Sequence, residues 1–350
     1  MITADYKKYL LEFKQPAGTS RGILRTKETW FIVLRENSKI GIGECGLLRG
    51  LSVDDRADYE SKLQWVCDNI TLGEEQLYKS LTQFPSIQFG VEMAFGSLQA
   101  DEPFEVFPSA FTEARAPIAI NGLIWMGDKA FMKKQIAEKI ATGFRCIKMK
   151  IGAIDFDTEY ELLKSIRDEF TVSDIELRVD ANGAFQYSEA LDKLDRLSKL
   201  HLHSIEQPIQ AGNWDDMGDL CDQTPLPIAL DEELIGVFTD SYKRQLLDSI
   251  RPQYIILKPS FIGGIQGSDR WISMAEDRGI GWWVTSALES NVGLNTIAQY
   301  TFSKNTTLPQ GLGTGGLYTN NFPAPLEIEK GTLLYNKTQK WDLSLLGVTF

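Results

Sequence analysis

The chain has 350 residues, of which 43% are hydrophobic and 24% charged, a composition typical of a globular protein large enough for one barrel and a smaller attached domain. Its formal net charge of −12, with no basic stripe to offset it, argues against nucleic acid as a partner. No run approaches the roughly 20 consecutive apolar residues of a membrane helix, and the charged N-terminus lacks the apolar core of a signal peptide.

The region before residue 115 has the pattern of an α+β module. Lys27–Arg35 and Lys39–Cys45 are predicted to pair as a β-hairpin across a short polar turn. Apolar residues at helical spacing predict three helices, at Val53–Asn69, Glu74–Thr82 and Gly90–Leu98. We therefore expect residues 1–115 to form a capping domain beside the mouth of a larger domain.

From residue 116 onward, short β-rich runs alternate with amphipathic helical runs. Eight strand candidates recur about every 27 residues, the length of one strand, one helix and two loops. They are Pro117–Asn121, Cys146–Ile151, Glu176–Ala181, His203–Gln207, Pro227–Asp231, Tyr254–Lys258, Trp282–Ser286 and a weaker run near Leu308–Leu312. The helical runs include Lys129–Thr142, Asp157–Phe170, Ser188–Leu200 and Ser241–Ile250.

Eight parallel βα units of this size close into a barrel rather than an open sheet. The predicted fold class is therefore α/β, a (β/α)8-type barrel over residues 116–318. The tail, residues 319–350, has strand-like pieces at Leu333–Tyr335 and Gly347–Phe350 but no further barrel unit. We expect this tail to pack on the cap and to complete the capping domain.

Ionisable residues end five consecutive barrel strands, at the edge where barrels of this kind build their active sites. Side chains alternate between the two faces of a strand, so every second residue of each set shares a face. The set comprises Lys148 and Lys150 on the second strand, Arg178, Asp180 and Asn182 on the third, Glu206 on the fourth, Asp231 and Glu232 on the fifth, and Lys258 on the sixth.

Three carboxylates, those of Asp180, Glu206 and Asp231, would face one point inside such a barrel. Unpaired buried anions are costly, so they must be protonated or must share a cation. An all-oxygen triad suits magnesium and leaves coordination positions open for substrate. Each acid alone has a structural explanation: Asp180 begins a turn sequence, Asp231 could cap a helix and Glu206 could pair with a lysine. Their occurrence on successive strands favours the metal site.

Lys150 and Lys258 lie on strands that face each other across an eight-stranded ring. A planar substrate carbon between them would meet one lysine on each face. A lysine that acts as a base must be neutral, so its pKa must fall from about 10.4 to about 7–8. The like charges of Lys148 and the metal could lower it. The pattern predicts proton abstraction beside a substrate carboxylate, and the alternative is that the lysines simply pair with the acids.

Other motifs contribute little. His201 and His203 fall at the start of the fourth strand, the wrong end of the barrel for catalysis, and are expected to be structural. Gly311 and Gly313 could let backbone N–H groups approach an anionic ligand group, or could form a tight turn. No Gly-x-Gly-x-x-Gly follows an early strand and no Gly-x-Ser-x-Gly elbow is present, so nicotinamide and serine-hydrolase chemistry are not supported.

The strand-end motifs resemble the enolase superfamily and its muconate-lactonizing subgroup. The matching motifs are Lys148-Met149-Lys150, Asp180-Ala181-Asn182-Gly183, Glu206-Gln207-Pro208, Leu230-Asp231-Glu232 and Leu257-Lys258-Pro259-Ser260. In the cap, Gly43–Cys45 with Gly50–Ser52 resembles the specificity loop of that family, and Gly18–Gly22 resembles its mobile lid. Within the subgroup, Ser286–Asn295 and Gly311–Gly315, with Tyr318–Asn321, are most similar to the o-succinylbenzoate synthase family.

That resemblance implies a hydro-lyase of menaquinone biosynthesis, which performs the syn dehydration of 2-succinyl-6-hydroxy-2,4-cyclohexadiene-1-carboxylate. It implies that Lys150 removes the α-proton and then protonates the departing hydroxyl, while Lys258 stabilises the enediolate. It implies Mg²⁺, for which Mn²⁺ can substitute, bound by Asp180, Glu206 and Asp231. The supporting residues it implies are Lys148, Arg178, Asn182 and Glu232, and the substrate contacts are Ser260, Ser286, Gly311, Gly313 and Thr314.

Three alternatives remain open. A racemase of N-succinylamino acids or an epimerase of dipeptides would use the same lysines and acids, since two opposed lysines also suit a 1,1-proton transfer. Dipeptide epimerases carry an Asp-x-Asp after the eighth strand, whereas Gly311–Tyr318 contains no acid, which disfavours a substrate with an ammonium group. A barrel that binds ligand without turnover is disfavoured because the five strand-end residues are all intact.

The sequence also predicts location and partners. Cys45, Cys67, Cys146 and Cys221 are widely spaced with no CxxC pair, and reduced thiols in a cytoplasmic protein are the simplest interpretation. The expected partner is a small-molecule carboxylate, with neither nucleic acid nor a membrane span. Homo-oligomerisation is left open.

Overall fold

The structure is a computed structural model that describes residues 1–19 and 22–348. The predicted lid Gly18–Gly22 lies partly outside the described residues, as does the end of the predicted strand Gly347–Phe350. No helix in the described ranges combines the length and apolar character needed to cross a membrane. All four cysteines are free and buried.

The N-terminal region is an antiparallel sheet in the order β1-β2-β3 covered by helices. Its elements are β1 (Thr3–Thr19), β2 (Gly22–Glu36), β3 (Lys39–Cys45), α1 (Tyr59–Asp68), α2 (Glu74–Ser80) and α3 (Pro85–Gln99), with a 3-10 turn at Ile70–Leu72. The predicted hairpin is β2–β3, and β1 adds a third strand. The helix predicted from Val53 begins only at Tyr59, because Asp54 turns inward and accepts hydrogen bonds from the backbone N–H and hydroxyl of Ser86.

Strand β2 separates two cores, because its successive side chains point to opposite faces of the sheet. Trp30, Ile32 and Leu34 pack with the cap helices. Phe31 and Val33 point the other way and pack with residues of the C-terminal tail, namely Phe322, Leu343, Leu346 and Val348. The tail therefore contacts the cap. The division into residues 1–115, 116–318 and 319–350 stays a prediction.

A curved parallel sheet forms the larger part of the chain, with strands in the order β5 to β11. The strands are β5 (Gly122–Ile124), β6 (Cys146–Lys150), β7 (Glu176–Asp180), β8 (Ser204–Glu206), β9 (Ile228–Leu230), β10 (Tyr254–Leu257) and β11 (Gly281–Val284). The helices are α4 (Lys129–Ala141), α5 (Phe156–Glu169), α6 (Tyr187–Ser198), α7 (Trp214–Gln223), α8 (Asp240–Ile250), α9 (Pro259–Ile262), α10 (Gly264–Glu276) and α11 (Asn291–Ser303). A 3-10 turn lies between β9 and α8, at Glu232–Leu234, and two more come after α11, at Gly315–Leu317 and Ser344–Leu346.

The ring closes through single parallel bridges rather than through an eighth full strand. Gln310 bridges to Ile120, and Gly311 bridges to Thr285. The weak eighth strand predicted near Leu308–Leu312 is therefore present only as the bridging residues Gln310 and Gly311. The sheet is a barrel with α/β architecture, as the strand rhythm predicted.

The predicted first strand, Pro117–Asn121, requires a correction. Ile118–Ala119 (β4) pairs antiparallel with β13 (Thr332–Tyr335), which in turn pairs with β12 (Leu326–Glu329). The backbone N–H of Ile120 still bonds to Gly331, whereas that of Asn121 bonds to Gln310. The chain therefore crosses from one sheet to the other at this point, and the barrel strand proper begins at Gly122.

Candidate active site

The register of the parallel strands brings the ionisable residues to one edge of the barrel. Lys150 on β6 lies beside Asp180 on β7, and Asp180 lies beside Glu206 on β8. Asp231 directly follows β9, and Lys258 directly follows β10. The carboxyl ends of the strands therefore place the predicted acids and lysines together, as expected for an active site in this fold.

The second-strand lysines bridge two of the acids. The Lys148 ammonium lies 2.9 Å from Asp180 Oδ2 and also pairs with Glu206. The Lys150 ammonium lies 2.8 Å from the same Asp180 oxygen and donates to Asn182 Oδ1 at 2.6 Å. Asp180 is therefore held between two cations on β6.

Lys258 completes a row of charged side chains, which consists of Lys148, Lys150 and Lys258 with Asp180, Glu206 and Asp231. Its ammonium pairs with Asp231 and lies 3.8 Å from Glu206 Oε1. Strands β6 and β10 are four positions apart in the sheet, so Lys150 and Lys258 flank the carboxylates from opposite sides of the ring. The three lysines and three acids together carry no net formal charge.

The charges of the row perturb one another strongly. Burial raises the pKa of the Asp180 carboxyl, but the three lysines outweigh burial and hold that pKa well below its usual range. Burial and the neighbouring carboxylate of Asp180 raise the pKa of Glu206 to about 8. Burial lowers the pKa of Lys258, yet attraction to Asp231 and Glu206 outweighs it and leaves the pKa above its usual value. Lys258 therefore remains a cation, which suits the stabilisation of negative charge.

Asn182, which follows β7, links Asp180 and Lys150 to Glu232, which follows β9. Its backbone has φ 44°, a left-handed conformation that asparagine tolerates better than most residues. This turn lets its N–H donate to Asp180 Oδ1 at 3.0 Å while its side-chain amide donates to Glu232 Oε1 at 3.1 Å. The predicted supporting residues Asn182 and Glu232 thus contact each other beside Asp180.

The donor chemistry of the row fits a hard divalent cation. Within residues 1–19 and 22–348, no three acidic, histidine or cysteine side chains converge closely enough to form a ready-made metal cage. The three acids instead alternate with ammonium groups. Glu206 Oε1 is buried with no hydrogen-bond partner, and oxygen ligands are those that Mg²⁺ prefers. Asp180, Glu206 and Asp231 are therefore the residues that could hold such an ion.

A cavity of about 650 Å³ opens over this edge of the barrel, a size suited to a small organic ligand. Its floor includes both flanking lysines and Asp180. The cap supplies much of the opposite wall, including Leu24, Leu48 and Leu51. The loop predicted to resemble a specificity loop therefore does reach the cavity.

The predicted substrate contacts divide into two groups. Ser286, Gly311, Gly313 and Thr314 line the cavity, and the Thr314 hydroxyl donates to Ser286 Oγ at 2.9 Å. Ser260 does not line it, because its hydroxyl is fully buried and donates to Glu289 Oε1 at 2.5 Å. The position of this hydroxyl therefore does not support the predicted direct contact between Ser260 and substrate.

Arg178 lies one layer below the row, towards the amino ends of the strands. Its Nε donates to Glu176 at 2.7 Å, its Nη1 donates to the Pro309 carbonyl at 2.9 Å, and its guanidinium stacks over Trp283. His203 contacts the same Trp283 ring, as expected for a structural histidine. Arg178 thus closes the barrel interior beneath the site rather than contacting the cavity.

Glu289 is the main residue that the sequence analysis missed. It is fully buried and accepts hydrogen bonds from Ser260 and, at 2.6 Å, from Ser286. Its neighbour Ser290 donates to Glu44 of the cap, at 3.0 Å from the backbone and 2.5 Å from the hydroxyl. A glutamate within the Ser286–Asn295 run was visible in the sequence, but its partner Ser260 lies 29 residues away along the chain.

Two family models match the chain. Residues 132–338 match the enolase C-terminal domain-like family, and residues 2–98 match the MenC N-terminal domain. Together these matches cover both the barrel and the cap. Members of the enolase superfamily typically use a divalent metal.

Individual relatives agree with these models. The o-succinylbenzoate synthase of Desulfotalea psychrophila is 46% identical, covering 94% of this chain and 98% of that protein. The crystal structure of MenC from the same organism has a TM-score of 0.85 and 41% identity, covering 95% of this chain and 99% of that one. The N-succinylamino acid racemase of Thermus thermophilus is more distant, at 29% identity over 63% of this chain and 58% of that protein. The chain therefore belongs to the o-succinylbenzoate synthase family within the enolase superfamily.

Proposed function

We propose that this chain is a hydro-lyase that dehydrates 2-succinyl-6-hydroxy-2,4-cyclohexadiene-1-carboxylate to o-succinylbenzoate in menaquinone biosynthesis. The 46% identity to an o-succinylbenzoate synthase across 94% of the chain supports the reaction. One geometric observation carries the residue assignment: Lys150 and Lys258 flank the carboxylate row from opposite sides, and both line the same cavity.

Lys150 removes the proton from the carbon beside the substrate carboxylate. The Lys258 ammonium, kept charged by Asp231 and Glu206, stabilises the negative charge of the enediolate from the opposite face. Lys150 then returns its proton to the departing hydroxyl on its own face, so that water leaves and the ring becomes aromatic. The amine of Lys150 is thereby regenerated.

We propose that Asp180, Glu206 and Asp231 hold Mg²⁺, with Mn²⁺ able to replace it. When bound, the metal supplies positive charge next to the substrate carboxylate and makes the α-proton more acidic. Lys148 balances the charge of this set, and Asn182 and Glu232 orient it. Ser286, Gly311, Gly313 and Thr314 are the proposed contacts to the substrate, a small-molecule carboxylate. A cytoplasmic location is also proposed, supported by the four free cysteines.

The test is turnover of the cyclohexadiene acid, followed by the appearance of the aromatic product in the presence of Mg²⁺. Lys150→Ala and Lys258→Ala should each lose at least about 1,000-fold in turnover, since each removes a proton-transfer or charge-stabilising group. Lys199→Ala is the matched control, because Lys199 forms an exposed pair with Asp195 far from the cavity. Near-normal turnover by Lys150→Ala, with an unchanged circular dichroism spectrum, would refute the assigned base.

The second candidate is racemisation of N-succinylamino acids, which the pair of opposed lysines also suits. The same enzyme preparation should be incubated with an N-succinylamino acid and with a panel of dipeptides in deuterated water. We expect dehydration to be the fastest of these reactions. Rapid epimerisation of a dipeptide without dehydration would reverse this ranking.

A further inference from the structure

A second cavity, of about 440 Å³, lies between the cap and the barrel and is separate from the proposed active site. Helices α2 and α3 of the cap form one wall, and α8, α9 and α10 of the barrel form the other. Its ionisable lining residues are Glu75, Lys79, Lys243 and Arg270. Cations thus outnumber acids among the residues that line it.

Lys243 is the unusual member of this set. It is only 2% exposed, yet its ammonium forms no hydrogen bond or ion pair in the described part of the chain. Its contact is with the ring of Trp271, whose centre lies 5.2 Å away. Burial lowers the pKa of Lys243 to about 8, although the nearby carboxylate of Asp240 opposes this shift. The Lys243 nitrogen is not among the fully sealed atoms that lack a partner, so it borders the cavity, where a bound anion would pair with it.

Two of the three cations that line the cavity have no hydrogen-bonded acid in the described part of the chain. Arg270 lies 3.8 Å from Asp240 Oδ1, too far for a hydrogen bond, and its guanidinium is half-exposed at the cavity. Lys79 is already paired with Glu75 at 2.6 Å. Lys243 and Arg270 are therefore the two lining cations without a hydrogen-bonded acid among the described residues.

Five apolar side chains also line the cavity, beside the polar residues Tyr78, Thr82, Gln88 and Gln266. Pro85 comes from the cap, and Val237, Phe238, Phe261 and Ile262 come from the barrel. An inorganic dianion would gain nothing from these apolar side chains, whereas a monoanion with an apolar body would bury that body against them.

We propose that the second cavity binds a small organic monocarboxylate, whose carboxylate pairs with Lys243 and Arg270 and whose apolar body packs against the barrel wall. This site goes beyond the proposed dehydration and does not depend on it. It nevertheless adjoins the active site: Phe261 lines both cavities, and its ring centre lies 6.0 Å from the Lys258 ammonium.

The test uses benzoate as the probe, benzamide as its neutral counterpart and inorganic phosphate as the purely ionic comparison. Binding to the full-length protein is measured by calorimetry, and the site is located in crystals soaked with 4-bromobenzoate. Benzoate should bind in the second cavity at least about 10-fold more tightly than benzamide, since the charge-assisted hydrogen bonds are lost with the amide. Phosphate should bind more weakly than benzoate.

Variants link that binding to the residues. Lys243→Met should weaken benzoate binding to the second cavity about 10-fold or more, and Arg270→Gln, at a half-exposed position, keeps the test available if Lys243→Met does not fold. Val237→Phe should block the cavity without changing its charge. Lys199→Met is the control and should bind as the wild type does. Wild-type affinity in both charge variants, benzoate absent from this cavity in the crystals, or phosphate binding more tightly than benzoate would each overturn the proposal.

Discussion

Replacing Lys148 by Met tests whether the buried carboxylates depend on cations for their stability. Lys148 is 7% exposed and contacts both Asp180, at 2.9 Å, and Glu206. In the variant, Asp180 keeps Lys150 at 2.8 Å, whereas the nearest ammonium left to Glu206 is that of Lys258, 3.8 Å from its Oε1. Removing one partner of a buried ion pair typically costs about 3–5 kcal/mol, so we expect a loss of that size.

The assay is urea unfolding of wild type and Lys148→Met, first with a chelator and then with excess Mg²⁺. The formal charge of the six-residue row changes from zero to −1 in the variant. A divalent cation should therefore stabilise Lys148→Met by at least about 1 kcal/mol more than it stabilises the wild type. Lys199→Met is the control, since its pair with Asp195 is exposed and should contribute little.

Two results would refute this reasoning. A Lys148→Met variant within about 1 kcal/mol of the wild type in chelator would mean that Glu206 is satisfied in some other way. Equal stabilisation of both proteins by Mg²⁺ would mean that the cation does not bind among these carboxylates.

Three further outcomes are expected. Gly43→Ala should lower the free energy of unfolding in urea by about 3 kcal/mol or more, because the added Cβ would overlap the Gly90 carbonyl oxygen. Gly50→Ala is the comparison: Gly50 has φ 73° but open space around it, so this substitution should lower the free energy by only about 1 kcal/mol. Burial raises the pKa of Asp54 to about 6 despite its hydrogen bonds from Ser86, so the folded state holds the carboxyl proton more tightly than the unfolded state does. The free energy of unfolding should therefore fall by about 3 kcal/mol as pH rises from about 3.8 to 6. The Asp54→Asn variant should not show that fall. Exhaustive chelation should abolish dehydration and Mg²⁺ should restore it; unchanged turnover after metal removal would contradict the carboxylate site.

The barrel was predictable from sequence because its signal is local and repeated. Each βα unit carries its own alternation of apolar residues, and four predicted helices agree with α4, α5, α6 and α8 to within a residue or two. The strand-end acids and lysines were predictable for the same reason, since parallel strands bring equivalent ends to one edge.

What was not predictable depends on contacts between distant segments. Strand β1 pairs with β2 along nearly its whole length, but a run containing Tyr6, Lys7 and Lys8 shows no clean alternation on its own. The crossing of the chain from β4 into the barrel depends on Gly331 and Gln310, roughly 200 residues further on. The family resemblance implied that Ser260 contacts substrate, and only the folded chain places Glu289 against it.

The sequence left two interpretations of the lysines open, pairing with the acids or catalysis, and the geometry makes them compatible. All three lysines do pair with the acids, so pairing explains why three carboxylates can be buried together. Ion pairing alone, however, does not require the ammonium groups to reach the cavity, because lysines fully buried inside the barrel could pair with the acids equally well. Lys150 and Lys258 instead keep side-chain exposures of 12% and 13% at the cavity, on opposite sides of the ring. Lys150 and Lys258 thus stabilise the buried acids and also lie on the two sides of the cavity from which a substrate carbanion would be contacted.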